Sequence, residues 1–94
     1  MKYHLRSTKD FRKQYKKLVR SGNKRALEEL DDVIYRLSMG ENLEEKYRNH
    51  KLTGEMQDCF ECHILFDWLL IYKKYEDILV LKLVATGSHS DLFE

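Results

Sequence analysis

The chain has 94 residues, of which 43% are hydrophobic and 35% are charged, with a formal net charge of +1. This composition is typical of one globular domain spanning residues 1–94 and excludes a disordered protein. No apolar run approaches the roughly 20 residues that a membrane span needs, and no signal-peptide segment follows Met1, so we expect a cytoplasmic protein without membrane contact.

The charges are segregated along the chain. Basic residues dominate between Lys9 and Arg25, where Asp10 is the single acid, and acidic residues dominate from Glu28 to Glu45. This pattern predicts one basic surface on the first helix. A solvated helix face and a polyanion-binding site both explain it.

The first half of the chain predicts a strand followed by two helices. Residues 2–6 alternate and indicate a short strand. Residues 7–23 indicate a helix that Ser7 or Thr8 caps and that ends near Gly22. A second helix ends near Gly40 and carries one apolar stripe, at positions 27, 30, 34 and 37. Because the connection is short, we expect an antiparallel helix hairpin.

The second half predicts a sheet. Residues 41–53 are polar and aperiodic, which indicates a loop. Three apolar runs of strand length follow, at residues 59–66, 68–74 and 78–85, and the short turns between them favour antiparallel neighbours. The expected fold class is therefore α+β with two layers: an N-terminal strand, the helix hairpin and then a largely antiparallel sheet.

Alternation divides the strand at residues 59–66 into two faces. The face expected to lie in the core is apolar: Phe60, Cys62, Ile64 and Phe66. The opposite face exposes Glu61 and His63 to a ligand. A lone histidine on a strand is more often structural or merely exposed than functional, so this pattern alone leaves both interpretations open.

The Cys59-Phe60-Glu61-Cys62 segment has the spacing of a zinc knuckle. A structural zinc site needs four ligands, however, and the chain has no second pair of cysteines. In a strand, Cys59 and Cys62 also point to opposite faces. We therefore expect no metal and interpret Cys62 as a small core residue in a reducing compartment.

Two segments carry a resemblance to a known family. NHKLTGEMQDCFECHILFDWLLIY (residues 49–72) and GSHSDLF (residues 87–93) resemble the YafQ-type branch of the RelE-like mRNA interferase toxins. The family's motifs read approximately D-H-x-L-x-G, E-C-H-I-x-P-D-W-L-L-I-Y and T-G-T/S-H-S-x-L-F, in this order. The resemblance implies a RelE-like fold and a toxin of a type II toxin-antitoxin system, which cleaves mRNA in the ribosomal A site.

The resemblance also implies a catalytic set with an aromatic residue that helps to place a base: His50, His63, Asp67, His89 and Phe93. Such an endoribonuclease uses no metal or cofactor, because the substrate's 2′-hydroxyl attacks the adjacent phosphate. It needs a base, an acid and donors to the phosphate. We predict His89 as the acid and His63 or His50, with Asp67, on the base side. Residues 86–88 are expected to turn the last strand so that His89 enters the site.

The implied partners are a small antitoxin with an acidic or amphipathic tail, mRNA and the ribosome, with DNA contacted only through the antitoxin complex. The basic residues expected to bind RNA are Lys51 and, on the first helix, Lys13, Lys16 and Lys17.

Ala85 stands where the family commonly carries an arginine that contacts phosphate. This leaves two alternatives, a weakened enzyme and a catalytically impaired module that binds the antitoxin or the ribosome. An unrelated RNA- or zinc-binding domain is a third, which the ordered motifs disfavour.

Overall fold

Two helices cover one face of a five-stranded sheet in the computed structural model, which describes residues 2–54, 58–65 and 67–93. Phe66, predicted to lie in the core, is outside the described residues. The elements in chain order are β1 (His4–Ser7), α1 (Lys9–Ser21), α2 (Lys24–Ser38), a 3-10 turn (Glu45–Tyr47), β2 (His50–Lys51), β3 (Phe60–Leu65), β4 (Trp68–Tyr75), β5 (Val80–Ser88) and α3 (His89–Phe93).

Local capping explains the bounds of the two long helices. Thr8, rather than Ser7, caps α1, and its side chain accepts a hydrogen bond from the Phe11 backbone N–H. Ser7 is instead the last residue of β1. Gly22 ends α1 with a φ of 77°, in the left-handed region that glycine tolerates best, and the Asn23 side chain caps α2. The two predicted helices are confirmed.

None of the helices in the described ranges is long and apolar enough to cross a bilayer.

The strands follow the order β1-β5-β4-β3-β2, in which only the β1–β5 pair is parallel. The predicted α+β class and the three antiparallel strands are confirmed. Two details differ from the prediction. The expected loop contains β2, and β5 continues to Ser88. The expectation that residues 86–88 form a turn is therefore wrong, because these residues pair with β4.

A β-bulge in β5 determines which of its residues face the helices. Leu83 pairs with Tyr72 and Ala85 pairs with Ile71, so Val84 is an extra residue in the ladder. The Thr8 hydroxyl donates to the Val84 carbonyl over 2.6 Å. The extra residue reverses the alternation, so that Leu83 lies in the core and Ala85 lies on the opposite face.

The core lies between the helices and the sheet. On β3, Cys62 and Ile64 are buried in it, as the alternation predicted. Burial raises the pKa of the Cys62 thiol to about 12, which makes it an unreactive core side chain. The other buried apolar residues of this cluster are Tyr3, Phe11, Leu18, Ala26, Leu30, Val33, Ile34, Leu37, Tyr47, Leu70, Tyr72, Leu81 and Leu83.

Thr86 joins α1, β4 and β5 through three hydrogen bonds and is fully buried. Its hydroxyl accepts from the Trp68 indole N–H at 2.9 Å and donates to the Leu69 carbonyl at 2.8 Å. Its backbone N–H donates to the Gln14 side chain at 2.8 Å. These bonds fix the end of β5 relative to the helix layer.

We predict that Thr86→Val lowers the free energy of unfolding by about 1–3 kcal/mol, because the Trp68 N–H and the Leu69 carbonyl lose their buried partner. Urea titration followed by far-UV circular dichroism measures this difference. Thr53→Val, the same change at an exposed threonine, should stay within about 0.5 kcal/mol of the parent. Equal stabilities for the two variants would contradict this role of Thr86.

Candidate functional site

The sheet face opposite the helices carries a line of paired residues across four strands. His50 pairs with Glu61, Glu61 with Ile71, and Ile71 with Ala85. Directly opposed residues of antiparallel strands share a face, so these four residues point to the same side. We call this side, with His63, the open face.

His50, Glu61 and His63 form an imidazole–carboxylate cluster on the open face. Glu61 Oε1 lies 3.2 Å from His50 Nε2 and 3.4 Å from His63 Nε2. The Glu61 side chain is buried, the His63 side chain is one quarter exposed (25%) and the His50 side chain is 52% exposed. One buried carboxylate oxygen therefore orients two accessible imidazoles, each of which can take up or release a proton.

Glu61 is the residue whose role sequence reasoning missed. Alternation placed it on the face of His63, but no role followed from that. Its contact with His50 depends on the pairing of β2 with β3, and a two-residue polar strand gives no periodic signal.

The position of His50 depends on its neighbours in the chain. The Tyr72 hydroxyl donates to the Asn49 side chain at 2.6 Å, and burial raises the pKa of Tyr72. The Leu52 backbone N–H donates to the Cys59 carbonyl at 2.8 Å. These two bonds flank His50 and tie one end of β2 to β4 and the other end to the residue that precedes β3.

Helix α3 carries His89 and lies over Gly87 of β5. A Cβ atom at Gly87 would come within 3.2 Å of Asp91 Cβ and 3.3 Å of Leu92 Cδ2. The missing side chain therefore permits the close approach of α3 to the strand. Because Gly87 pairs with Leu69, and Leu69 with His63, α3 covers the row that contains His63.

A reciprocal cap fixes the start of α3. The Ser88 backbone N–H donates to Asp91 Oδ2, and the Asp91 backbone N–H donates to Ser88 Oγ. The hydrogen bonds from the Ser88 backbone and side chain, together with nearby Lys17, hold the pKa of the Asp91 carboxyl below its ordinary value. Within α3 the His89 and Phe93 rings are 5.1 Å apart at 42°, and both residues are exposed.

Three more of the predicted site residues lie on the strands of this sheet or in the turn between two of them. Asp67 is exposed in the turn between β3 and β4, and Lys51 is exposed beside His50 in β2. Ala85 ends the row of His50 and Glu61, where its methyl group offers no hydrogen-bond donor.

The three predicted lysines of α1 are exposed and differ in their surroundings. The charge of Lys17 contributes to the lowered pKa of Asp91 in α3. Lys16 instead lines an apolar groove between α1 and α2 with Phe11 and Tyr15. The predicted contact of Lys13, Lys16 and Lys17 with RNA stays a prediction.

The cluster also has the donor set of a metal site. The ligand atoms of His50, Glu61 and His63 all lie within 4.8 Å of one another. Two imidazole nitrogens and a carboxylate oxygen suit Zn²⁺ or Cu²⁺ with an open position. Neither cysteine of the zinc-knuckle spacing belongs to this set, and Cys62 is buried on the opposite face.

Comparisons with known proteins match nearly the whole chain to YafQ and other bacterial toxins. The family model described as "Bacterial toxin of type II toxin-antitoxin system, YafQ" matches residues 3–94. The mRNA interferase toxin YafQ of Escherichia coli (strain K12) is 31% identical over 84 residues, which cover 85% of this chain and 88% of that protein. The crystal structure of a metal-bound toxin from Helicobacter pylori is 37% identical with a TM-score of 0.87, covering 97% of this chain and 99% of that one. The E. coli DinJ-YafQ toxin-antitoxin complex gives a TM-score of 0.79 at 25% identity, covering 100% of both chains.

We predict that the metal-free protein binds one Zn²⁺ in isothermal titration calorimetry. Glu61→Gln and His63→Gln should each weaken this binding by about 10-fold or more, because each removes a donor. His4→Gln changes an exposed histidine of β1, at the other edge of the sheet, and should leave the affinity unchanged. The same loss in His4→Gln as in His63→Gln would show that the ion binds elsewhere.

Proposed function

The chain belongs to the YafQ family of bacterial toxins of type II toxin-antitoxin systems, and we propose that it is an endoribonuclease that cleaves mRNA in the ribosomal A site. Its relative in E. coli carries the name mRNA interferase. The observation that carries the proposal is the convergence of His50 and His63 on one oxygen of Glu61, on the sheet face that α3 partly covers.

The proposed reaction uses the substrate's own 2′-hydroxyl as nucleophile. A bond forms between the 2′-oxygen and phosphorus, and the bond from phosphorus to the 5′-oxygen breaks. The 2′-hydroxyl proton passes to a base, and the leaving 5′-oxygen takes a proton from an acid. The products are a 2′,3′-cyclic phosphate and a 5′-hydroxyl, so the reaction is restricted to RNA.

The two groups of the site divide these tasks. His50 or His63 accepts the proton, with Glu61 orienting both rings and Asp67 contributing from the adjoining turn. His89 is the acid, because the cluster supplies the base and His89 lies on a different element, α3. Phe93, which is exposed and 5.1 Å from the His89 ring, stacks on a nucleotide base beside the cleaved bond.

Ala85 limits the rate of this chain. Negative charge gathers on the phosphate in the transition state, and a guanidinium in the row of His50 and Glu61 would stabilise it. The methyl group of Ala85 does not. The alternative function, a catalytically impaired module that binds the antitoxin or the ribosome, rests on this same residue.

We expect the chemistry to need no metal. A metal ion held by the cluster would bind one ring nitrogen of each of His50 and His63. A coordinated imidazole is a weaker base, so bound metal would oppose proton uptake by these two residues.

The partner is a protein antitoxin, by analogy with the DinJ-YafQ complex, and the toxin acts in the cytoplasm, where ribosomes are. An acidic antitoxin segment complements the basic surface of α1, and operator DNA is contacted through the complex.

Cleavage of mRNA on programmed ribosomes, mapped by primer extension, tests the activity. We predict that His89→Ala lowers the rate by about 10² or more, and that Ala85→Arg raises it by up to about 10². His4→Ala is the matched control and should cleave like the parent. If the parent and Ala85→Arg both fail to cleave, with or without ribosomes, the binding-module alternative replaces the enzyme.

Metal removal and addition test the proton chemistry separately. Cleavage by Ala85→Arg should persist in excess TPEN, a chelator that removes Zn²⁺ and leaves the Mg²⁺ that ribosomes need, and Zn²⁺ at concentrations that saturate the cluster should inhibit it. The inhibition should reverse when TPEN is added. Loss of cleavage in TPEN, with recovery on adding Zn²⁺, would contradict the metal-independent reaction.

A further inference from the structure

A cavity of about 480 Å³ adjoins the imidazole–carboxylate cluster. It lies between the beginning of α2, the 3-10 turn and the last residues of β3. His63 lines this cavity and also belongs to the cluster, so a bound group would lie next to the proposed site of cleavage. The volume is within the range of small-ligand cavities, about 300–1,000 Å³.

Three cationic side chains line the cavity: Arg25, Lys46 and Arg48. All three are exposed, and none forms an ion pair with another residue of the described ranges. One carboxylate, Glu29, also lines the cavity, where it accepts a hydrogen bond from the Tyr47 hydroxyl at 3.3 Å. The excess of positive charge makes the cavity suitable for an anion.

The backbone at Arg48 supports a functional role for this cation. Arg48 has a φ of 46° and ends the 3-10 turn in the left-handed region. Non-glycine residues seldom adopt this conformation, and such positions cluster at ligand sites. Asparagine or glycine would adopt it more easily.

The edge of β3 leaves the cavity open toward the cluster. β2 pairs only with Phe60 and Glu61, so the described part of β2 does not cover the edge at His63. The β3 register also shifts between His63 and Leu65, and such bulges are frequent beside active sites. A strand of RNA leaving the cluster can therefore continue into the cavity.

We propose that Arg25, Lys46 and Arg48 bind an RNA backbone phosphate that neighbours the cleaved phosphate. This inference rests on the proposed function, because it extends the RNA path from the same site. Arginine suits this role since its planar guanidinium can bind a phosphate with two hydrogen bonds. The path of the substrate then runs from His89 and Phe93, across the cluster, to this cavity.

The test measures binding of a single-stranded 2′-O-methyl RNA, which cannot be cut, by fluorescence anisotropy over a range of salt concentrations. The variant Lys46→Gln/Arg48→Asn removes two charges, and asparagine tolerates the left-handed backbone. Lys2→Gln/Lys74→Gln is the control, because it removes two charges that lie over Tyr3, toward the opposite end of β4. If the double variant does not fold, Arg25→Gln replaces it as the cavity variant, because Arg25 is exposed on α2.

The cavity variant should bind more weakly than the control. The slope of log K against log salt concentration should decrease by up to about 0.7, the value for one phosphate contact on a single strand. In cleavage assays with Ala85→Arg as the parent, the KM should rise while kcat stays near the parental value. Equal affinity and slope for the cavity and control variants would overturn the proposal.

Two further results separate this inference from the proposed function. If no variant cleaves RNA but the cavity variant alone loses affinity for 2′-O-methyl RNA, the phosphate site stands and the enzyme proposal fails. If the cavity variant keeps its RNA affinity and loses affinity for polyglutamate, the cavity binds an acidic protein segment, and the phosphate site is wrong.

Discussion

The β-bulge at Val84 is the constraint on which the open face depends. Simple alternation along β5 would put Ala85 and Gly87 in the core with Leu83, and would expose Thr86. The extra residue reverses this arrangement. As a result, Gly87 lies under α3, and Thr86 meets Gln14 and the Trp68 indole inside the protein. The Thr8 hydroxyl, which caps α1 and also binds the Val84 carbonyl, links the bulge to the helix layer.

A structural element could be predicted from the sequence where its pattern lies within a short stretch of the chain. The helices were predictable because caps and apolar stripes are short-range features, and the three long strands because their apolar runs are continuous. β2 was not, because two polar residues become a strand only when the edge of β3 is present. The composition of Thr86-Gly87-Ser88 predicts a turn, whereas pairing with β4 decides the conformation of these residues.

The same distinction holds for the candidate site. Motif resemblance singled out His50, His63 and His89, and alternation put Glu61 on the face of His63. That Glu61 contacts both imidazoles depends on the β2–β3 register, which no short-range pattern encodes. The cationic cavity depends even more on contacts between residues that are distant in the sequence. Arg25, Lys46 and Arg48 come from the start of α2 and from the 3-10 turn, and only the packing of α2 against β3 brings them beside His63. The basic run on α1 was the more visible signal in the sequence.

The parallel pairing of β1 with β5 has a consequence for synthesis of the chain. It joins segments such as Thr8 and Val84 that are 76 residues apart. Contacts of such long range close late in folding. While a ribosome makes the protein, β4 lacks its neighbour β5 until residues 80–88 have left the exit tunnel. His89 emerges later still. A nascent chain can therefore form the β3–β4 hairpin that holds Glu61 and His63 before β5 joins the sheet and brings α3 with it.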